Sequence, residues 1–491
     1  MSTVSICERI DIMNIESPTE KDKILVNELL NAIDAGNIAE QTIEQFRYEH
    51  LRALLRYATL LDGGQAFYIK IKHFLEDISI RKLKKKEKLR VAFVVSGIPV
   101  WCGDELYNLL DKSELFEPYI YVFLHNIGQS VKMMLDEYDE HVKVFRDKGM
   151  RVIDTINRAE GIIYTWEQIG EFPDICIWTT PWIYAHVPQQ CFTEYPLSTI
   201  HTYIPYGYIL ANNEENDYVQ MQYNYEFHNL VWKIFAENAI AVEMAEKYAF
   251  TGKENTVYTG APKMDVFFES LNSDPWEDVI NTCGNKNAKR IIYAPHHSMQ
   301  AGGNILWATF QDNYRIILEL AKKYENDTVW LFKPHPALKF KSIYVGLFKD
   351  ETEWDAYVQE WRDLKNGMVY EGADYPPFFR CSDAMILDCA SFIAEYLYVN
   401  KPALFLRRKE QNFNELGRKL LTLLYQADGI NAKDIEDFIQ NVVLDGMDNK
   451  QKEREAFFEG YINYRRLNGK EQSAATNIYG LLYSQFMPLQ D

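Results

Sequence analysis

The sequence predicts an α/β protein made of two doubly wound, parallel-sheet domains preceded by a helical appendage. From Arg90 onward, short continuous apolar runs alternate with helix-patterned stretches, as in a parallel sheet covered on both faces. The alternation pauses at a polar passage, Ser273-Asp274-Pro275 to Gly284-Asn285-Lys286-Asn287, and then begins again. Before it, residues 20 to 85 show only helical spacing.

The appendage carries one stripe through Ile24, Leu25, Leu29, Leu30 and Ile33 and another through Leu51, Leu54, Leu55, Tyr57 and Leu60. It closes on a basic run, Arg81 to Arg90, which reads either as a solvated helix end or as a segment for docking on anionic lipid head groups. In the first alternating series Val91–Val95, Tyr119–Leu124, Ile175–Trp178 and Val231–Phe235 are the strand candidates. In the second they are Ile291–Ala294, Val329–Phe332, Ala384–Leu387 and Ala403–Leu406. The expected boundaries are 1–88 for the appendage, 89–272 and 273–430 for the two sheet domains, and 431–491 for a charged helical tail.

Composition narrows the class. A chain of 491 residues with 47% hydrophobic and 25% charged residues is a folded, enzyme-sized protein. Its formal net charge of -19 excludes nucleic acid as a partner, because that binding draws on excess positive charge. Seven scattered cysteines with no Cys-x-x-Cys pair signal neither a disulfide framework nor a zinc site, and point to a reducing cytoplasm. No signal-peptide layout opens the chain and no apolar run approaches the ~18 residues of a membrane span, so any membrane contact is expected to be peripheral, at the inner face.

Two strand exits carry the chemistry. The run Val329–Phe332 leads into Lys333-Pro334-His335-Pro336, so a lysine and a histidine emerge where the strand ends, held by two prolines. The run Ala384–Leu387 leads through Asp388-Cys389-Ala390-Ser391 into a helix carrying Glu395. Ligands of open parallel sheets bind outside the carboxyl ends of the strands, where helix N-termini offer N–H groups to phosphate. His335 is therefore a candidate to hydrogen-bond or neutralise a phosphate with Lys333 as fixed charge, the alternative being a helix cap. Ser391 suits a phosphate and Glu395, one turn along, suits ribose hydroxyls; an ordinary N-cap and an ion-pair residue are the alternatives.

Ala294-Pro295-His296-His297-Ser298 closes another strand on the same rim, so His296, His297 and Ser298 join the anion-binding candidates. Adjacent histidines on a strand point to opposite faces, which disfavours a shared metal, and no metal or other cofactor is expected. No Gly-x-Gly-x-x-Gly, P-loop, His-Glu-x-x-His or Asp-x-Asp motif is present, which favours a metal-free way of holding phosphate. In the first series, Ser198 to Tyr208 places His201 late in a strand before a Pro-Gly turn, either as a base for an acceptor hydroxyl or as a core histidine.

From Ile291 to Leu406 the chain resembles the CDP-glycerol glycerophosphotransferases that build teichoic-acid-type and capsular polymers. The resemblance lies in Tyr293-Ala294-Pro295, Lys333-Pro334-His335-Pro336, Ser382 to Asp388, Ser391 with Glu395-Tyr396, and Lys401-Pro402, with a weaker echo at Leu467-Asn468-Gly469-Lys470. The chain departs from the family at His296-His297-Ser298, where Thr, an aromatic and Arg are usual. It departs again at Cys389-Ala390-Ser391, which keeps one of two serines, and at Ile200-His201-Thr202, which stands for Trp-His-Gly.

The resemblance implies a GT-B fold of two facing Rossmann-like domains. It implies transfer of a polyol phosphate from a CDP-activated donor to a hydroxyl of a glycan or lipid-linked acceptor, with release of CMP. His201 would then be the base and His335 would stabilise charge. Lys333, Asp388, Ser391 and Glu395, with His296, His297 and Ser298, would hold the donor. The rival readings are a GT-B glycosyltransferase using a nucleotide sugar for capsule or lipopolysaccharide, and an inactive GT-B scaffold.

Overall fold

The computed structural model describes residues 46–124, 131–170, 172–183, 190–212, 218–299, 306–372 and 374–488, together with residues 31, 43 and 187. They fall into two compact units. The first holds the described residues up to Gly207, then Gln220–Lys263 and those from Tyr464 on; the second holds those of Tyr208–Val219 and Met264–Asn463.

The first unit is built on a seven-stranded sheet. Its strands are β1 (Leu89–Val95), β2 (Phe116–Val122), β3 (Val152–Ile153), β6 (Ile175–Trp178), β7 (Ile200–Tyr203), β8 (Lys233–Ala236) and β9 (Thr256–Tyr258), while β4 (Ile156–Asn157) and β5 (Ile162–Ile163) form a separate antiparallel pair. The order is β3-β2-β1-β6-β7-β8-β9, and every pairing is parallel. Alternation along β1 sends Ala92 and Val94 to one face and Val91, Phe93 and Val95 to the other, and both faces are covered. Helices Tyr48–Ala58 and Gly64–Leu83 cover the first face with Leu51, Leu54, Leu55, Ile71 and Leu75. Against the second face lies helix Ala474–Phe486, which buries Ile478, Leu482 and Phe486 with Leu106 and Leu110.

The second unit is a six-stranded parallel sheet of β10 (Lys289–Ala294), β11 (Thr328–Phe332), β12 (Gly367–Val369), β13 (Ala384–Leu387), β14 (Ala403–Arg407) and β15 (Tyr425–Asp428), ordered β12-β11-β10-β13-β14-β15. The chain runs outward from the central strand on one side, then returns and runs outward on the other. The order therefore reverses between β10 and β13, the place where open α/β sheets form their ligand crevice. Strands β11 and β13 are buried along their whole length, which explains their unbroken apolar reading: Thr328–Phe332 and Ala384–Leu387 contain no exposed residue.

Among the described residues no helix is long and apolar enough to cross a membrane.

Candidate active site

Three strand exits meet at the reversal point of the second sheet. β10 gives Pro295-His296-His297-Ser298, its neighbour β11 gives Lys333-Pro334-His335-Pro336, and its other neighbour β13 gives Asp388-Cys389. The histidine rings converge there: His297 is centred 4.1 Å from His335 and 4.3 Å from His296, with His296 and His335 5.2 Å apart. One ring nitrogen from each of the three lies within 4.8 Å of the others.

His296 and His297 follow Pro295, past the last residue of β10, so the opposite-face geometry of a strand does not govern them; a loop turns both rings toward His335. The tautomers then decide what they present. His335 Nδ1 accepts the Ala337 N–H at 3.0 Å, and His296 Nδ1 accepts the Ser298 N–H at 3.3 Å and sits 2.8 Å from Ser298 Oγ. An imidazole whose Nδ1 accepts carries its proton on Nε2, so both rings offer N–H donors and not lone pairs. That donor set fits an anion and does not fit a cation.

Burial lowers the proton affinity of all three rings. His335 is pushed down to about 4 by burial first, then by His297 and Lys333. His296 is held well below the ordinary imidazole value by burial, His297 and His335, and His297 is lowered by burial and by Lys341.

Asp388 is buried and braces the cluster from behind. Its Oδ1 accepts the His296 N–H at 2.5 Å, and its Oδ2 accepts the Thr309 N–H at 2.5 Å and the Thr309 hydroxyl at 2.8 Å. Expected as a donor ligand, Asp388 instead has both oxygens engaged in holding a loop. Burial raises its carboxyl to about 6 against the pull of these hydrogen bonds. Ser298 is similarly engaged, its Oγ accepting the Trp307 N–H at 3.0 Å.

Lys333 is 6% exposed and donates to the Gly372 carbonyl at 3.1 Å. Its ammonium sits 5.5 Å from the Tyr370 ring centre and 5.2 Å from that of Tyr375, and burial lowers its proton affinity. Glu395 is buried on helix Ala390–Tyr396 and accepts the Tyr375 hydroxyl. Tyr375 thus joins the lysine to the glutamate. Ser391 lies exposed on the first turn of that helix, after Cys389, whose thiol is raised by burial to about 11.

His201 belongs to the first unit and is not at its rim. It is the second residue of β7, paired with Cys176, which in turn pairs with Ala92, three residues short of the end of β1. The ring is 0% exposed and boxed by Tyr48, Phe192 and Tyr195 at 4.5, 4.7 and 4.7 Å. Its Nδ1 accepts the Trp178 indole N–H at 2.8 Å, and burial holds it neutral far below the usual imidazole range. Of the two readings left open for His201, a base for an acceptor hydroxyl or a core histidine, its position on the second residue of Ile200–Tyr203 and its complete burial match the core histidine.

Other polar residues at these sites were not singled out from the sequence. Thr309, Asn313 and Tyr375 brace the second site, Asn313 donating to Thr309 Oγ1 at 2.7 Å and to the Gly429 carbonyl at 3.1 Å. In the first unit Glu237 stands just past the end of β8, 3% exposed, with Asn238 donating to it at 3.2 Å. Burial raises Glu237 to about 7, and its charge reaches Tyr203, Tyr223 and Tyr258. The Tyr223 and Tyr258 hydroxyls are buried without a protein partner among the described residues. The readable signal was a lone acid between an apolar strand end and an Asn that caps the next helix.

Comparisons with known proteins agree with this architecture. The model of the family described as CDP-Glycerol:Poly(glycerophosphate) glycerophosphotransferase matches residues 192–476. Of solved structures, the wall teichoic acid polymerase TagF aligns at 14% identity and a TM-score of 0.50, covering 84% of this chain and 93% of its own. The UDP-GlcNAc 2-epimerase from Neisseria meningitidis, bound to UDP-GlcNAc, aligns at 14% identity and a TM-score of 0.49, covering 81% of this chain and 100% of its own. No curated protein matches. The fold is of the GT-B type, and with more than half of its length matched, the chain belongs to the CDP-glycerol glycerophosphotransferase family of transferases.

Proposed function

We propose that this protein transfers a polyol phosphate, glycerol phosphate or a close relative, from a CDP-activated donor to a hydroxyl of a cell-surface glycan or lipid-linked acceptor. The acceptor oxygen bonds to the phosphorus of the polyol phosphate, the pyrophosphate P–O bond breaks, and CMP leaves with the electron pair. Phosphoryl transfer of this kind asks a protein mainly for positioning and for charge stabilisation along the line of displacement.

The observation that carries this reading is the convergence of His296, His297 and His335, with Nε2–H donors on two of them, at the reversal point of a parallel sheet. Family membership supplies the donor class. In this reading the imidazoles hold the donor's phosphates, with Lys333 lending charge from behind and the Ser391 hydroxyl adding a contact on the helix start. Glu395 orients the site through Tyr375. Glu237 takes the acceptor's proton: it stands outside its strand where His201 stands inside, and a carboxyl raised to about 7 accepts a proton at neutral pH better than an ordinary one. The exposed Lys85, Lys86 and Lys88, in the turn between helix Gly64–Leu83 and β1, are the proposed contact with anionic lipid at the inner membrane face.

Calorimetric titration with CDP-glycerol, CDP-ribitol, CMP, UDP and UDP-sugars tests the donor. Selective cytidine binding, weakened by His335→Ala, supports the reading, and a phosphodiester in the product establishes the chemistry. A preference for uridine compounds with a glycosidic product would replace it by sugar transfer, and binding without turnover by a scaffold.

A further inference from the structure

The three imidazoles differ in one respect that decides their roles. His335 and His296 each have Nδ1 occupied by an incoming backbone N–H, from Ala337 and Ser298. A second proton on either ring would set N–H against N–H, so both are held neutral. His297 carries no such lock: its Nδ1 is buried and has no partner among the described residues. Its ring is also the central one, closer to each neighbour than they are to each other.

We propose that His297 is the charge carrier of the trio: it takes up one proton from solvent as the donor's phosphates enter, while His296 and His335 stay neutral and donate Nε2–H to the phosphate oxygens. This rests on the reading of the trio as the phosphate site. The groups facing His297 are the rings of His296 and His335 and the ammonium of Lys341 on helix Leu338–Tyr344; Lys333 faces His335, and Asp388 takes the His296 N–H from behind. Without ligand, burial and then the Lys341 ammonium keep His297 unprotonated, which avoids adding a further positive charge to the cluster. A phosphate dianion within about 4–6 Å reverses that balance, because an opposite charge at this range favours the protonated ring. The trio of rings is then neutral when empty and carries one positive charge when filled.

The test is calorimetry of the full chain with CDP-glycerol and, separately, inorganic pyrophosphate, at about pH 7.5, above the ordinary imidazole value, in buffers of different ionisation enthalpy. Wild type and His335→Gln are expected to take up one proton per ligand, and His297→Gln none, with binding about tenfold weaker for loss of a charge-assisted hydrogen bond. Binding by wild type without proton uptake overturns the proposal, as does uptake that survives His297→Gln and vanishes in His335→Gln. Imidazole nitrogen chemical shifts of histidine-labelled wild type, with and without pyrophosphate, identify the protonated ring even where a variant fails to fold; a shift at His335 or His296 in place of His297 also overturns it. Pyrophosphate bound with uptake while cytidine nucleotides do not bind keeps this proposal and removes the CDP donor, whereas CDP-glycerol bound without uptake does the reverse. Binding of neither ligand removes both.

Discussion

Both sheets carry histidines near the ends of parallel strands, and the two sheets use them in opposite ways. In the first, His201 lies on the second residue of β7 under four aromatic side chains. In the second, His296, His297 and His335 lie two or three residues past β10 and β11, where the backbone has left the ladder and polar atoms can face a ligand. A shift of a few residues along a strand separates a group placed to meet a ligand from one that fills a core. The lesson extends to Glu237, which has a core residue's burial but a rim residue's position. It keeps a carboxyl beside unpartnered tyrosine hydroxyls where His201 has rings.

The largest expected effects fall on the rim groups. Glu237→Gln removes the proposed proton acceptor, and kcat should fall by about 10²–10⁴, the usual worth of general base catalysis. The acid limb of the kcat/KM profile, expected near the value of about 7 that burial gives this carboxyl, should disappear with it. CDP-glycerol affinity should not change. Full turnover in Glu237→Gln would return Glu237 to the core class and leave the first sheet without a rim acid. Next is His335→Ala, which deletes an Nε2–H donor at the phosphates and should cost about 10²–10³ in kcat, as loss of a preorganised anion-stabilising donor does. Its thermal midpoint should stay within a few degrees of wild type, since the ring is part of a loop and not of the packed sheet.

His201→Phe sharpens the contrast from the other side. It keeps a ring in the aromatic box but leaves the buried Trp178 indole N–H without its acceptor, a loss of about 1–3 kcal/mol in denaturant unfolding. Turnover of the folded variant should remain within about threefold of wild type. A folded His201→Phe protein with kcat down by the factors given for Glu237→Gln would show that His201 acts on substrate after all.

How far each feature was legible follows the same physics. The central strands were readable because burial on both faces forces an unbroken apolar run, as in Val329–Phe332. The edge strands β12 and β15 were not, because Gly367–Val369 and Tyr425–Asp428 are partly exposed and mixed in composition. The motif Lys333-Pro334-His335-Pro336 announced a rim histidine, but its meeting with His297 depends on β10 lying between β11 and β13, which no local pattern encodes. Tautomers were illegible for the same reason: they are fixed by backbone N–H groups whose directions exist only in the folded loops. Asp388 and Glu395 were singled out by their place in a motif, whereas their partners, Thr309 and Tyr375, lie 79 and 20 residues away in sequence.

Asp388 gives a smaller effect that separates positioning from contact. Asp388→Asn keeps the shape but replaces one acceptor oxygen by an NH₂ facing the N–H donor of either His296 or Thr309. The loop bearing two of the three histidines should loosen, raising KM for the donor by about five- to tenfold, roughly the worth of one hydrogen bond, with kcat reduced less. A kcat loss as large as that of His335→Ala, with KM unchanged, would place Asp388 on the substrate.

The smallest effect is one of pH on stability, and here the two sheets should behave alike. His228, buried on helix Glu226–Leu230 of the first unit, is lowered by burial to about 3 and His335 in the second to about 4, while both titrate near 6.5 when unfolded. The unfolded chain therefore binds more protons than the folded one between those values, so stability is complete above pH 6.5 and declines as pH falls toward 4. Removing one such histidine should flatten that decline by roughly 2 kcal/mol in chemical denaturation between pH 7 and pH 5. For His297→Gln, whose ring burial also lowers, the corresponding flattening should vanish when pyrophosphate is bound, because the ligand lets that ring take up its proton in the folded state. For His228→Gln it should persist, since no ligand reaches a core ring. Equal ligand sensitivity of the two would mean that the second sheet's histidines are as closed to solvent as the first's.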